Sequence, residues 1–259
     1  MPTARTDDGV ALSYRTTGDG PRNLLFMHGW GGSGAYFDEL LEHLDLTGLR
    51  AITFDFRGHG DSEKAEGFTD ERLGRDAFAV ADAVGADQVV VVGYSMSGRF
   101  AQYLAVLEPE RVLGQILVAG CPAFAIPFPD EMIDEWITAA GDKEAYRELH
   151  LSFTTRPVPP EALERAVDDV TKVSRAALEG TLRTVSEASF ADKVGTIRAP
   201  TLVVGGIHDE LLTPEVLRDG VAAPLSRARL VLLDCNHDIP FEQPRELAAV
   251  IEAFLAALP

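Results

Sequence analysis

Residues 89–98 read Val-Val-Val-Val-Gly-Tyr-Ser-Met-Ser-Gly. Four valines in a row place apolar side chains at both odd and even positions, which predicts a strand buried on both faces, as in a parallel sheet covered by helices on each side. The small-x-Ser-x-small turn that follows feeds a helix predicted from Met96 to about Glu108, where Pro109 stops it. A strand joined to a helix by so tight a turn is a nucleophile elbow, and it would hold the Ser95 hydroxyl in a strained backbone position at the edge of the sheet.

The rest of the chain repeats that alternation. Val10, Leu12 and Tyr14 alternate with Ala11, Ser13 and Arg15, the period of a half-buried strand. Further strands are predicted at 23–27, 51–54, 115–119, 201–204 and 229–233. Helical stripes run through Tyr36, Phe37, Leu40, Leu41 and Leu44, through Leu73, Ala77, Val80, Ala81 and Val84 up to Gly85, after Pro214, and through Leu247, Val250, Ile251 and Phe254. The expectation is an α/β fold built on a mostly parallel, doubly wound sheet.

Residues 122–193 break the rhythm. They show no strand pattern, only prolines, aromatics and helical stretches near 131–140, 161–170 and 175–185. We read them as a helical cap inserted after a core strand, with 1–121 and 194–259 forming the core. Of the cap's apolar residues Phe124, Ile126, Phe128, Met132, Ile133, Trp136 and Phe153, most pack the cap on the core and the remainder face a substrate.

A chain of 259 residues, 46% apolar and 25% charged, is long enough for one large domain carrying an insertion. Its formal charge of -18 repels phosphate backbones and anionic lipid, so nucleic acid and membrane are poor partners and a small-molecule substrate is expected. The first eight residues hold no apolar signal region, and no run approaches the ~18 apolar residues of a membrane span. Cytoplasmic location is the expectation. Cys121 and Cys235 have no metal-ligand spacing and read as buried, reduced thiols, and no metal or organic cofactor is called for.

Four motifs occur in a telling order. His28-Gly29-Trp30-Gly31-Gly32 follows one predicted strand and Arg57-Gly58-His59-Gly60-Asp61-Ser62 the next; the elbow comes third. Last, Asp209 lies just past a strand and ahead of Pro214, while His237 stands in the loop after the final strand, within Asn236-His237-Asp238-Ile239-Pro240. Together these resemble the α/β-hydrolase superfamily over nearly the whole chain, with Ser, Asp and His in that family's order. The resemblance implies Ser95 as nucleophile, His237 as base and Asp209 as the orienting acid. It also implies the peptide N–H groups of Trp30 and Met96 as an oxyanion hole, and a structural role for His59.

Ser97 stands where the family usually has the last glycine, and is a rival nucleophile placed one step inside the helix. Glu210, Asp234 and Asp238 are alternative acids, and His208 an alternative base. His43 and His150 read as structural or surface residues. Some relatives take their acid after the strand ending near Ala119, but here that stretch reads Gly120-Cys121-Pro122.

Substrate choice is less legible. Candidate pocket residues are Trp30, Tyr94, Phe124, Phe128 and Trp136. The Gly-Tyr-Ser-Met-Ser-Gly and His-Gly-Trp motifs look most like bacterial carboxylesterases and cofactor-free perhydrolases, implying hydrolysis of an ester or lactone of a small, largely apolar substrate. Carbon-carbon bond hydrolysis is an alternative that Tyr94 disfavours and Arg147 and Arg156 leave open, and a ligand-sensing protein with a slow triad is another. Ser95 excludes relatives that need an aspartate at the elbow.

Overall fold

The computed structural model describes residues 1–258, so Pro259 at the end of the expected core lies outside the described residues. Its sheet has eight strands: β1 (Thr3–Arg5), β2 (Ala11–Thr17), β3 (Arg22–Met27), β4 (Leu49–Phe54), β5 (Val89–Tyr94), β6 (Val112–Val118), β7 (Thr201–Gly206) and β8 (Ala228–Leu233). They lie in the order β1-β2-β4-β3-β5-β6-β7-β8. The pairings of β1 with β2 and of β2 with β4 are antiparallel, and all the others are parallel. In a sheet of this kind the loops at the carboxyl ends of the strands are where ligands bind.

The valine run behaves as its composition requires. All six residues of β5 are buried. Val89 and Val91 pack with Leu73 and Ala77 of α2 (Asp70–Ala83) and Phe100 and Leu104 of α3 (Met96–Leu107) on one face. Val90 and Val92 pack on the other face with Leu40 of α1 (Asp38–Leu41) and Leu247 and Ile251 of the last helix, Pro244–Ala256. Side chains of period two thus supply both core layers.

The stripe from Tyr36 to Leu44 folds as a 3-10 turn, Gly34–Phe37, and the one-turn α1 rather than as a longer helix. Tyr36, Phe37, Leu40 and Leu44 are buried as their spacing predicts, and Leu41 is partly buried. The difference lies upstream, where Asp55 accepts the Gly34 N–H at 2.7 Å and a Cβ on Gly34 would stand 3.0 Å from the Phe54 nitrogen, drawing this segment tight against β4. The helix expected after Pro214 is a π-helical stretch, Val216–Ala222.

Between β6 and β7 the chain forms α4 (Asp130–Ala140), α5 (Lys143–Ser152), α6 (Pro160–Val170) and α7 (Arg175–Glu187). Sequence periodicity misses α5, because its inward positions are Tyr146 and His150 and a histidine there hides the apolar stripe. Ile133, Ile137, Val167, Val170, Leu178 and Leu182 give the four helices a core of their own. Arg99, fully buried on α3, anchors both ends of this excursion. It holds Asp70 through two hydrogen bonds of 2.6 and 2.8 Å, donates to the carbonyls of Pro122 and Phe124, and lies over the Phe190 ring. Among the described residues no helix is long and apolar enough to cross a membrane.

The elbow closes by contact between backbones. A Cβ on Gly98 would stand 2.3 Å from the Cα of Gly120, a distance no flexible side chain could relieve. Gly98→Ala is therefore expected to lower stability by about 1–3 kcal/mol, read as a reduced urea midpoint at unchanged m-value. An unchanged midpoint would mean that α3 and β6 are not held in this contact.

Candidate active site

Ser95 follows β5 with φ 52° and ψ -120°, one of two described non-glycine residues at positive φ. Its backbone is fully used: the N–H donates to Val118, and the carbonyl accepts from Gly98 and Cys121. Ser97, the rival nucleophile, is completely buried. Its hydroxyl accepts the Tyr94 N–H at 2.9 Å and donates to the Met27 carbonyl at 2.5 Å, so it ties the turn to β3. A side chain is tolerated at 97 because these bonds occupy it, while Gly98 takes over the close approach to the neighbouring loop.

Three side chains from the ends of three strands converge. His237, after β8, has Nε2 2.8 Å from Ser95 Oγ and Nδ1 2.7 Å from Asp209 Oδ2. The other Asp209 oxygen accepts the N–H groups of Leu211 and Leu212 at 2.9 and 2.8 Å. Burial by itself pushes the Asp209 carboxyl up, but the charge and hydrogen bond of His237 and these two peptide donors outweigh it and hold it below its ordinary value. An ionised Asp209 fixes the proton on Nδ1, which leaves Nε2 free to accept the serine proton.

The alternatives stand elsewhere. Asp234 pairs with His208 and Arg156 at the surface. Glu210 is exposed. His59 is buried with Nδ1 on the Arg57 carbonyl, and His28 accepts the Phe56 N–H, both bracing loops beside the sheet. Burial raises the Cys121 thiol to about 12, which leaves it un-ionised.

The peptide N–H of Met96 is the first of α3 and has no preceding turn to bond. Among the described residues no acceptor is paired with it, nor with the N–H of Trp30. Gly29 lets the Trp30 loop approach, since a Cβ there would meet the Tyr94 ring at 2.8 Å.

These groups open on a small cavity, partly open to solvent. Of the candidate pocket residues, Trp30, Tyr94 and Trp136 line it, together with Tyr36, Tyr146, Leu149, His150, Phe153, Leu211 and Asp238. Phe124 and Phe128 do not line it. Phe124 is 40% exposed and rests on Gly220, where the chain has only just left the core, and Phe128 packs behind Trp136. Arg147 is engaged by Glu144 and Glu164, and Arg156 by Asp234, both outside the cavity wall. Among the described residues no group of three or more His, Cys, Asp or Glu side chains could hold a metal ion.

The cap and the histidine loop are tied together. The Phe153 carbonyl, just after α5, accepts the N–H groups of both His237 and Asp238. The buried Glu242 carboxylate accepts from Asn236 on one side and from Thr155 and Arg156 on the other.

Residues 22–158 match the family model described as alpha/beta hydrolase fold. A "Non-heme haloperoxidase" from Rhodococcus erythropolis is 28% identical over 232 residues, covering 82% of this chain and 83% of its own. A "3-oxoadipate enol-lactonase 2" from Acinetobacter baylyi is 26% identical over 260 residues, covering 96% and 95%. Among solved structures, a hydrolase from Pseudomonas aeruginosa PA01 superposes with a TM-score of 0.85 at 26% identity, covering 99% of this chain and 98% of that one. With more than half of its length matched by the family model and the strand order to go with it, the chain belongs to the alpha/beta hydrolase fold family.

Proposed function

We propose that this protein is a serine hydrolase that cleaves a carboxylic ester or lactone through an acyl-enzyme on Ser95. The observation that carries the reading is the unbroken hydrogen-bonded chain from Ser95 Oγ through His237 to Asp209, in the wall of an aromatic cavity. A serine hydroxyl is a poor nucleophile until a base removes its proton as it attacks. His237 Nε2 is in reach to do so, and Asp209 stabilises the imidazolium that forms.

The carbonyl oxygen then becomes an anion, for which the free N–H groups of Trp30 and Met96 are the donors, each worth about 3 kcal/mol of barrier. The N-terminus of α3 adds partial positive charge beside it. His237 returns the proton to the departing alcohol, and the same histidine activates the water that releases the acid. The enol-lactonase relative supports the ester and lactone class. Hydrogen peroxide in place of that water would give a peracid from the same intermediate, a reaction the haloperoxidase relative brings into view.

Carbon-carbon hydrolysis of an acidic dienone is less well supported, because neither an arginine nor a lysine lines the cavity to hold the carboxylate.

Purified protein is expected to turn over short p-nitrophenyl esters many times per chain. Ser95→Ala should lower kcat by about 10⁴-fold or more with the fold intact by circular dichroism, and a Ser95→Ala protein that keeps its turnover would overturn the assignment. Asp209→Asn should cost about 10⁴-fold in kcat by releasing the Nδ1 tautomer. A loss below tenfold there would assign the orienting acid elsewhere.

A further inference from the structure

One part of the cavity wall carries polar atoms that ester cleavage does not use. His150 on α5 and Asp238, beside the catalytic histidine, bring Nε2 and Oδ2 to 2.7 Å with side chains 8% and 1% exposed. Neither atom meets the angular requirement of a hydrogen bond, so both keep an unfilled bonding direction. The buried hydroxyl of Tyr36 also has no partner. All three residues line the cavity that holds Ser95, and they come from three separate segments: the 3-10 turn, the cap and the histidine loop. Asp238 is itself fixed in place, its Oδ1 accepting the Tyr94 hydroxyl at 3.2 Å.

Buried polar groups in folded proteins are almost always paired, so an unpartnered Tyr36 hydroxyl in the same cavity wall as a His150–Asp238 contact that makes no aligned hydrogen bond calls for a ligand group. Their chemistry restricts which one. A substrate carboxylate would face Asp238 with no arginine or lysine in the wall to offset it. A substrate cation would need a charged Asp238, but burial, with Glu242 adding to it, pushes that carboxyl well above its ordinary range. Burial, with His237 nearby, holds His150 down at about 4, so both side chains favour their uncharged forms. What fits a mixed set of donors and acceptors without charge is a group that both donates and accepts.

We propose that His150, Asp238 and Tyr36 form a subsite that binds a hydroxyl group of the substrate, so that hydroxylated esters or lactones are the preferred class. The proposal rests on the reading of Ser95 as an ester-cleaving nucleophile. The hydroxyl would donate to one of the carboxyl or imidazole acceptors and accept from the tyrosine. Removing it leaves the Tyr36 hydroxyl unpaired and the His150–Asp238 pair without an aligned hydrogen bond, and a site built to bond a hydroxyl discriminates strongly against the analogue that lacks it.

The test compares kcat/KM for matched pairs. p-Nitrophenyl esters of straight-chain acids of four to six carbons are set against analogues hydroxylated at each position from C3 outward, and alkyl butyrates against hydroxyalkyl butyrates. One hydroxylated position should be favoured at least about tenfold in the wild type. In Tyr36→Phe, His150→Phe and Asp238→Leu that ratio should fall toward one; because it is taken within each variant, a general loss of rate from disturbing His237 cancels. Tyr36→Phe removes a single oxygen and keeps the variant set readable if Asp238→Leu folds poorly.

A wild-type ratio near one at every position would overturn the subsite while leaving the hydrolase reading in place, and so would a ratio that survives in all three variants. Preference for a carboxylate or trimethylammonio analogue over the hydroxylated one would overturn it as well. Failure of every ester in the panel would remove the hydrolase reading and the subsite with it.

Discussion

Ser95 holds its backbone at φ 52° and ψ -120°, where a side chain crowds its own peptide, at a cost of about 1–3 kcal/mol. Such a conformation persists only if its surroundings leave no alternative, and here they do not. The Ser95 peptide is bonded to β6 and the loop after it, Ser97 fastens the turn to β3, and the meeting of Gly98 with Gly120 sets how near α3 comes to the sheet. The strain presents the hydroxyl above the sheet edge and at the same time leaves the Met96 N–H unbonded beside it. The proposed nucleophile and the proposed anion donor are both consequences of one turn.

The second dependence is between the His237 loop and the helical segment between β6 and β7. His237 and Asp238 both donate their peptide N–H groups to Phe153, and Glu242 clasps the cap residues Thr155 and Arg156 together with Asn236. The Phe153 ring also sits 5.7 Å from the His237 ring. Movement of α5 would therefore pull on the loop that carries His237, so the position of α5 and the alignment of the imidazole are mechanically linked. Arg99 confines that movement at the other end, holding both points where the excursion meets the core.

Much of this was legible in the chain because it depends on short-range pattern. The valine run of β5 announces a strand covered on both sides whatever its neighbours, and the Gly93-Tyr94-Ser95-Met96-Ser97 turn carries its geometry locally. Asp209 and His237 were found by their places after strands within familiar motifs, not by any property of the residues alone. The cavity wall is legible only in part, since Tyr36, Tyr146, Leu149, Phe153 and Leu211 come from separate segments that only packing brings together. Phe124 and Phe128 looked equally suited, but which way a cap aromatic faces is set by helix contacts that composition does not encode. The sequence gives no sign of the contact between His150 and Asp238, which lie 88 positions apart.

In the proposed mechanism the strained turn aims Ser95 at a carbonyl whose oxygen falls between the N–H groups of Trp30 and Met96. Reaction with a p-nitrophenyl phosphonate ester followed by a crystal structure of the adduct measures this directly. The expected result is release of about one nitrophenolate per chain, phosphorus on Ser95 Oγ, and the phosphoryl oxygen about 2.7–3.1 Å from both nitrogens. Phosphorus on Ser97 or Cys121, or an oxygen turned away from both donors, would contradict it.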